Sequence, residues 1–287
     1  MAAVALKAAQ RFELPLVYTA HSLIERELPR AQEWIGVQHR VMAAARHVFF
    51  LNRMEHAYAQ MRMASLRGRS SVRHHGMEMA ASELGARKRA PLVVVAGRLC
   101  RNKGTDLAVA ALRLAMQVEE PLSALFAGER GDEDCEAAVA ALAADFPGRV
   151  ERSGWLERSD LIRTLAHARM ALCPSRYEPF GLLPLETLQL GTPVLAAASE
   201  GACETLRDAP GVALLASCNA HPWSRAILHE FDRGSLLADA ERWGAEWVGK
   251  RFDPERQADL LIHTLGDVQR SRVHSRAGET RVCCHVA

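Results

Sequence analysis

Between Pro91 and Ser217 the chain repeats one pattern: a short apolar run, a helical stretch, then another apolar run. PLVVVAG at 91–97 opens the series, followed by SALFAG at 123–128, RVERSG at 149–154, MALCPS at 170–175, PVLAAA at 193–198 and VALLAS at 212–217. Helical segments separate them at about 104–118, 132–145, 159–168 and 184–190. Most of these runs are too apolar to face water on either side. Strands that alternate with helices therefore predict a mostly parallel α/β sheet covered on both faces.

The same alternation opens the chain on a smaller scale. AAVALKAAQRF at 2–12 reads as a helix, and LPLVYTA at 14–20 as a buried strand whose turn begins at His21-Ser22. Helical composition runs from about Ile24 to Ala45, HVFFLN at 47–52 reads as a strand, MEHAYAQMRM as a helix, and VRHHG at 72–76 as the last strand before a connection. ASELGARKRA at 81–90 is small, polar and basic, as an interdomain segment should be. Beyond 221 only helices are expected, near 222–230, 235–250 and 254–265, the last opening at Asp253-Pro254 as N-cap and first-turn proline. The expected division is a partial N-terminal domain at 1–80, a complete α/β domain at 81–220, C-terminal helices at 221–266 and a loose polar tail at 267–287.

Composition narrows the function classes. With 49% hydrophobic and 24% charged residues over 287 positions the chain can bury one large core or two ordinary ones. Thirty-six basic and 34 acidic side chains leave a formal charge of only +2, so no global field draws it to nucleic acid. Seven scattered cysteines, odd in number and without zinc-site spacing, read as reduced thiols in the cytoplasm. Cys173 and Cys218 read as packing residues, and neither Cys283-Cys284-His285 nor His74, His75 and Glu78 makes a metal pattern. VMAAARHVFFL at 41–51 is too short to cross a bilayer, which leaves peripheral contact at the inner membrane face open.

The stretch CPSRYEPFGLLPLETLQLGTPVLAAASEG at 173–201 carries most of the chemistry. Glu178 and Glu186 flank a Phe180-Gly181 turn that leads into a helix beside the end of a buried strand. An open α/β sheet binds phosphorylated ligands at such a place. GRLCRNKG at 97–104 supplies a second loop, in which Arg98 and Lys103 precede a helix whose N-terminal amides also favour an anion.

Taken in this order, the motifs resemble the donor-site signature of the GT-B retaining glycosyltransferases of family 4, the glycosyl transferases group 1. Glu178 and Glu186 match the ends of its E-x7-E motif, Phe180 and Gly181 the turn, and Gly191, Pro193 and Val194 the strand that follows. The resemblance extends from roughly residue 10 to residue 265. It implies a complete Rossmann-like C-terminal donor domain and a partial N-terminal Rossmann-like domain. The activity implied is metal-independent transfer of a hexose from a UDP- or GDP-linked sugar to a hydroxyl acceptor, without a separate cofactor. A non-catalytic or partner-dependent nucleotide-sugar-binding subunit is the alternative, and a phosphorylase or sugar-nucleotide epimerase on the same scaffold is a weaker third.

The resemblance also implies roles. A departing diphosphate needs cations and oriented amides, matched by Arg98, Lys103 and the backbone of Gly97, Gly181, Leu182 and Leu183. Glu178 matches the carboxylate that approaches the sugar hydroxyls, and Glu186, expected in the first turn of its helix, the one that contacts the ribose. His21 matches a histidine near the reacting centre, while Glu157 and Leu161 belong to loops that line the base. Plainer readings stand beside these. They are ordinary βα-loop cations for Arg98 and Lys103, a helix N-terminal charge for Glu186, a satisfied loop histidine for His21, and a cap region and core leucine for Glu157 and Leu161.

Three departures from the family pattern are visible. Pro184 stands inside the helix start, where proline costs no hydrogen bond. Glu200-Gly201 replaces the Gly-Gly that relatives carry before the acidic residue matched by Glu204. The first 80 residues supply only the second half of the family's N-terminal domain. That lobe is then either lost, covered by another polypeptide or symmetry mate in an oligomer, or missing because the sequence is incomplete at its start.

Overall fold

The structure, a computed structural model, describes residues 2–78 and 89–282. Most of the expected connection at 81–90 lies outside the described residues, as do Cys283, Cys284 and His285. The described chain divides into two compact units, 2–76 with 254–282 and 77–78 with 89–253.

The first unit holds a parallel sheet in the order β1-β2-β3, with β1 at Val17–Ala20, β2 at His47–Phe50 and β3 at Ser70–Val72. β3 ends earlier than VRHHG suggested. Its register pairs Val48 with Ser70 and Phe50 with Val72, and Arg73 N donates to Phe50 O at 2.9 Å, which uses up β2 and leaves His74 and His75 beyond the strand. The helical stretch expected from Ile24 to Ala45 breaks into Ile24–Glu27 and Gln32–Ala44. Pro29 between them has no N–H to donate and disfavours helical geometry at Leu28. Leu23, Met42, Val48, Phe50 and Leu66 form the core. The final helix spans Pro254–Val282 and so takes in 267–282, the stretch read as a loose tail. That stretch contains no proline and is rich in helix-forming residues, and Arg270 pairs with Asp267 at 2.6 Å.

The second unit holds six parallel strands: β4 Leu92–Ala96, β5 Ser123–Ala127, β6 Val150–Gly154, β7 Met170–Cys173, β8 Val194–Ala197 and β9 Val212–Leu215. Successive side chains of β4 go to opposite faces. Val93 and Val95 enter a cluster with Leu112, Phe126, Leu172 and Trp223, while Val94 packs with Leu165 and Ala171. Burial on both faces is why β4, β5, β7 and β8 read as continuous apolar runs, whereas the edge strand β6 exposes Glu151 and Arg152. The helical region at 235–250 contains a π turn at Ala240–Gly244, between helices Ser235–Asp239 and Ala245–Arg251.

Strand order is β6-β5-β4-β7-β8-β9. The chain builds outward from β4 through β5 to β6, then returns to the other side of β4 for β7. The loops after β4 and β7 therefore leave the sheet in opposite directions, and a crevice opens between them at the strand C-termini. No helix among the described residues is long and apolar enough to cross a membrane.

Candidate functional site

Both sequence motifs occupy this crevice. After β4 the chain runs through Gly97 and Arg98 to Gly104, which caps helix Thr105–Met116; after β7 it runs through Pro174 to Gly181, which caps helix Leu182–Gln189. Gly104 has φ +73°, and a β-carbon there would overlap the Pro174 carbonyl, so the two loops touch through their backbones. Arg176 ties them a second time. Its N–H donates to Asn102 O at 2.9 Å, and its guanidinium forks onto Asp106 with bonds of 2.7 and 2.8 Å. Burial alone would raise the Asp106 carboxyl, but the Arg176 hydrogen bond and charge outweigh it and hold the group below its ordinary pKa.

Across this joint Lys103 Nζ donates to Glu178 Oε2 at 2.8 Å, with both side chains partly exposed. The segment carrying Glu178 is pinned from behind. Gly201 N donates to Glu178 O at 3.1 Å, Thr205 Oγ1 donates to Phe180 O at 2.8 Å, and Gly201 has no room for a β-carbon against the Glu178 carbonyl. Of the Glu200-Gly201 pair, only the second position requires glycine on packing grounds. Cys173, next to Glu178 and Lys103, has its thiol pushed up to about 12 by burial and by the Glu178 charge, against the opposing effect of Lys103. It stays protonated at neutral pH and offers no nucleophile.

Several expected site residues are placed differently. Phe180 is 2% exposed and packs edge-on against Phe252 at 5.5 Å, so its ring anchors the turn instead of offering a face to a ligand. Leu161 joins the cluster of Val94, Leu165, Ala168, Ala171 and Leu183, as a core leucine. Glu157 is exposed at the N-cap position of helix Arg158–His167 and makes no side-chain cap bond. Glu186 lies in the second turn of helix Leu182–Gln189, not the first, and accepts from Arg158 Nη1 at 2.7 Å. The first-turn amides of that helix, at Leu182 and Leu183, have no acceptor within the helix. Pro184 sits third in it, where no intrahelical bond is lost. Arg98 is exposed directly after Gly97.

His21 belongs to the first unit, where it is exposed at the end of β1 and stacks on His75 with ring centroids 5.3 Å apart. Burial, then the neighbouring His21, Arg73 and His74, lower His75 to about 4. No group of three or more metal-ligating side chains occurs among the described residues. Sequence reasoning missed Arg176, Asp106 and Arg158. Each pairs with a charge 28 or 70 residues away, and nothing local marks such a pair.

Residues 78–243 match the family described as Glycosyl transferases group 1. The glycogen synthase of Bordetella bronchiseptica is 40% identical over 139 residues, 48% of this chain and 27% of that protein. The glycogen synthase of Paracoccus denitrificans is 37% identical over 176 residues, 61% of this chain and 36% of that protein. The chain thus matches roughly a third or less of the length of these curated relatives. Among solved structures, Anabaena HepE in complex with UDP-glucose has a TM-score of 0.75 at 20% identity, covering 93% of this chain and 76% of that one. Sucrose-phosphate synthase from Thermosynechococcus elongatus has a TM-score of 0.76 at 23% identity, covering 96% and 72%. The parallel α/β architecture is that of the GT-B glycosyltransferases.

Proposed function

The chain belongs to the glycosyl transferases group 1 family, and on that premise we propose a retaining, family 4 glycosyltransferase that moves a hexose from a nucleoside diphosphate sugar to a hydroxyl acceptor. The observation that carries the reading is the Lys103–Glu178 pair at the point where strand order reverses between β4 and β7. It sets a cation suited to phosphate beside a carboxylate suited to sugar hydroxyls. The names of the curated relatives and the UDP-glucose held by one structural neighbour support the same donor class.

In this reading Arg98, Lys103 and the amides at Gly181, Leu182 and Leu183 bind the diphosphate and stabilise the charge it gains as it leaves. Glu178 orients the sugar through its hydroxyls, and Glu186 takes the ribose. The bond from the anomeric carbon to the diphosphate oxygen breaks, the acceptor oxygen bonds to that carbon on the same face, and the acceptor proton passes to the departing diphosphate. Lys103 has three donors, so it can reach a phosphate while keeping Glu178. A nucleotide-sugar donor and seven cysteines without a disulfide pattern support a cytoplasmic location in this reading, at the inner membrane face or away from it.

Calorimetric titration with UDP, GDP and ADP tests the site. One nucleotide should bind, and Arg98→Ala and Glu186→Ala should each weaken it about tenfold or more. The matching sugar nucleotides then test turnover, and His21→Ala should lower turnover while leaving nucleotide affinity unchanged. Binding without transfer favours a partner-dependent nucleotide-sugar-binding subunit. Failure of the folded chain to bind any of the three removes the reading.

A further inference from the structure

Arg158 has no part in the site as expected from the sequence, yet two observations set it apart. It is the first residue of helix Arg158–His167, the end at which the helix dipole opposes a cation. Its side chain is 72% exposed, but the guanidinium reaches back to Glu186, whose side chain is only 20% exposed. Helix stability does not account for an arginine at this position.

The packing beneath explains the meeting. Leu161 and Leu183 join one apolar cluster and set helices Arg158–His167 and Leu182–Gln189 side by side. Arg158 stands three residues before Leu161 and Glu186 three residues after Leu183, so each shares a helix face with its leucine. Because Glu186 lies in the second turn, it is out of reach of the free amides at the start of its own helix. Arg158 is the cation the fold supplies for it.

We propose that Arg158 is a positioning residue: it holds the Glu186 carboxylate so that the second oxygen meets the ribose hydroxyls of the donor, and it thereby sets the preference for ribonucleotide over 2′-deoxyribonucleotide. The proposal rests on the reading of Glu186 as the ribose contact. A carboxylate is an acceptor with two oxygens. Arg158 takes Oε1 at 2.7 Å and leaves Oε2 for the sugar. Without the arginine the side chain spreads over several rotamers, and binding must order it again.

The test titrates the wild type with whichever of UDP, GDP and ADP binds best, with its 2′-deoxy counterpart, and with pyrophosphate. Wild type should prefer the ribonucleotide. In Arg158→Ala that preference should shrink about threefold while pyrophosphate affinity holds, and Arg158→Lys should recover part of it. In a Glu186→Ala background, Arg158→Ala should change the preference no further. Equal weakening of ribo- and deoxynucleotide, or an unchanged preference, overturns the proposal and leaves the donor site standing. No nucleotide binding by wild type removes both. Because Arg158 is exposed, its variants should melt with the wild type.

Discussion

The two parallel sheets of this chain hold the loops at their strand ends by different means. In the six-stranded sheet the loops after β4 and β7 are locked through the backbone: Gly104 lies on Pro174, Gly201 lies on Glu178, and Arg176 N donates to Asn102 O across the two loops. Charged tips such as Lys103 and Glu178 are left partly exposed on a fixed frame. In the three-stranded sheet side chains do the holding. Gln38 donates to Ser22 O at 2.7 Å and accepts from Ile24 N at 2.9 Å, buried Glu55 accepts from Leu23 N at 3.1 Å, and His21 stacks on His75. Backbone contact does not titrate. A frame built from it presents ligand-binding groups at constant geometry, whereas the loop that stacks on His75 rests on a group that titrates.

The sharpest break in this contrast is Gly104→Ala. Positive φ and overlap with a backbone carbonyl together should cost about 3 kcal/mol or more and abolish nucleotide binding. Gly68→Ala in the first unit shares the positive φ but has nothing within 4 Å of the new carbon. It should cost only about 1 kcal/mol in urea unfolding. Similar costs for the two would mean that the β4 and β7 loops are not locked through their backbones.

A smaller effect sharpens the other side. Above pH 6.5 His75 is neutral folded and unfolded; as pH falls, the unfolded chain takes the proton first, because the folded value is lowered to about 4. Stability should therefore decline between those values by about 1–2 kcal/mol after allowing for solvent screening, and His75→Asn should flatten the decline. An equal decline in that variant would place the acid-sensitive group elsewhere. Smallest is Arg176→Ala, worth about 1 kcal/mol for a partly exposed forked pair. Asp106 is held below its ordinary pKa, so its contribution is present above the usual carboxylate range and lost as pH falls through the folded value. Removing Arg176 should move that loss to higher pH.

Five of the six strands of the second sheet lie within the apolar runs that announced them, because buried strands leave a continuous local signal. The edge strand β6, with Glu151 and Arg152 exposed, lies within the mixed run RVERSG. The first sheet was less legible. Its last strand was misplaced into VRHHG, since β3 is only Ser70–Val72 and only partly buried. In the crevice Lys103 and Glu178 meet from loops 75 residues apart. Phe180 read as part of the donor-site turn and Leu161 as either a base-lining or a core leucine, and both side chains pack against apolar neighbours. A turn motif marks where the backbone bends without saying which way a ring points.

From its sequence alone the chain determined that its strands would be parallel and helix-covered, and that two glycine-bearing, charged loops would follow two of them. Periodicity records burial residue by residue, so it survives without knowledge of the fold. Only the tertiary structure decided that β4 and β7 are neighbours, that Arg176 chooses Asp106, and that Arg158 chooses Glu186. With 36 basic and 34 acidic side chains, local sequence leaves many pairings equally good. The packing of sheet and helices selects among them, because it alone sets which side chains are within hydrogen-bonding distance.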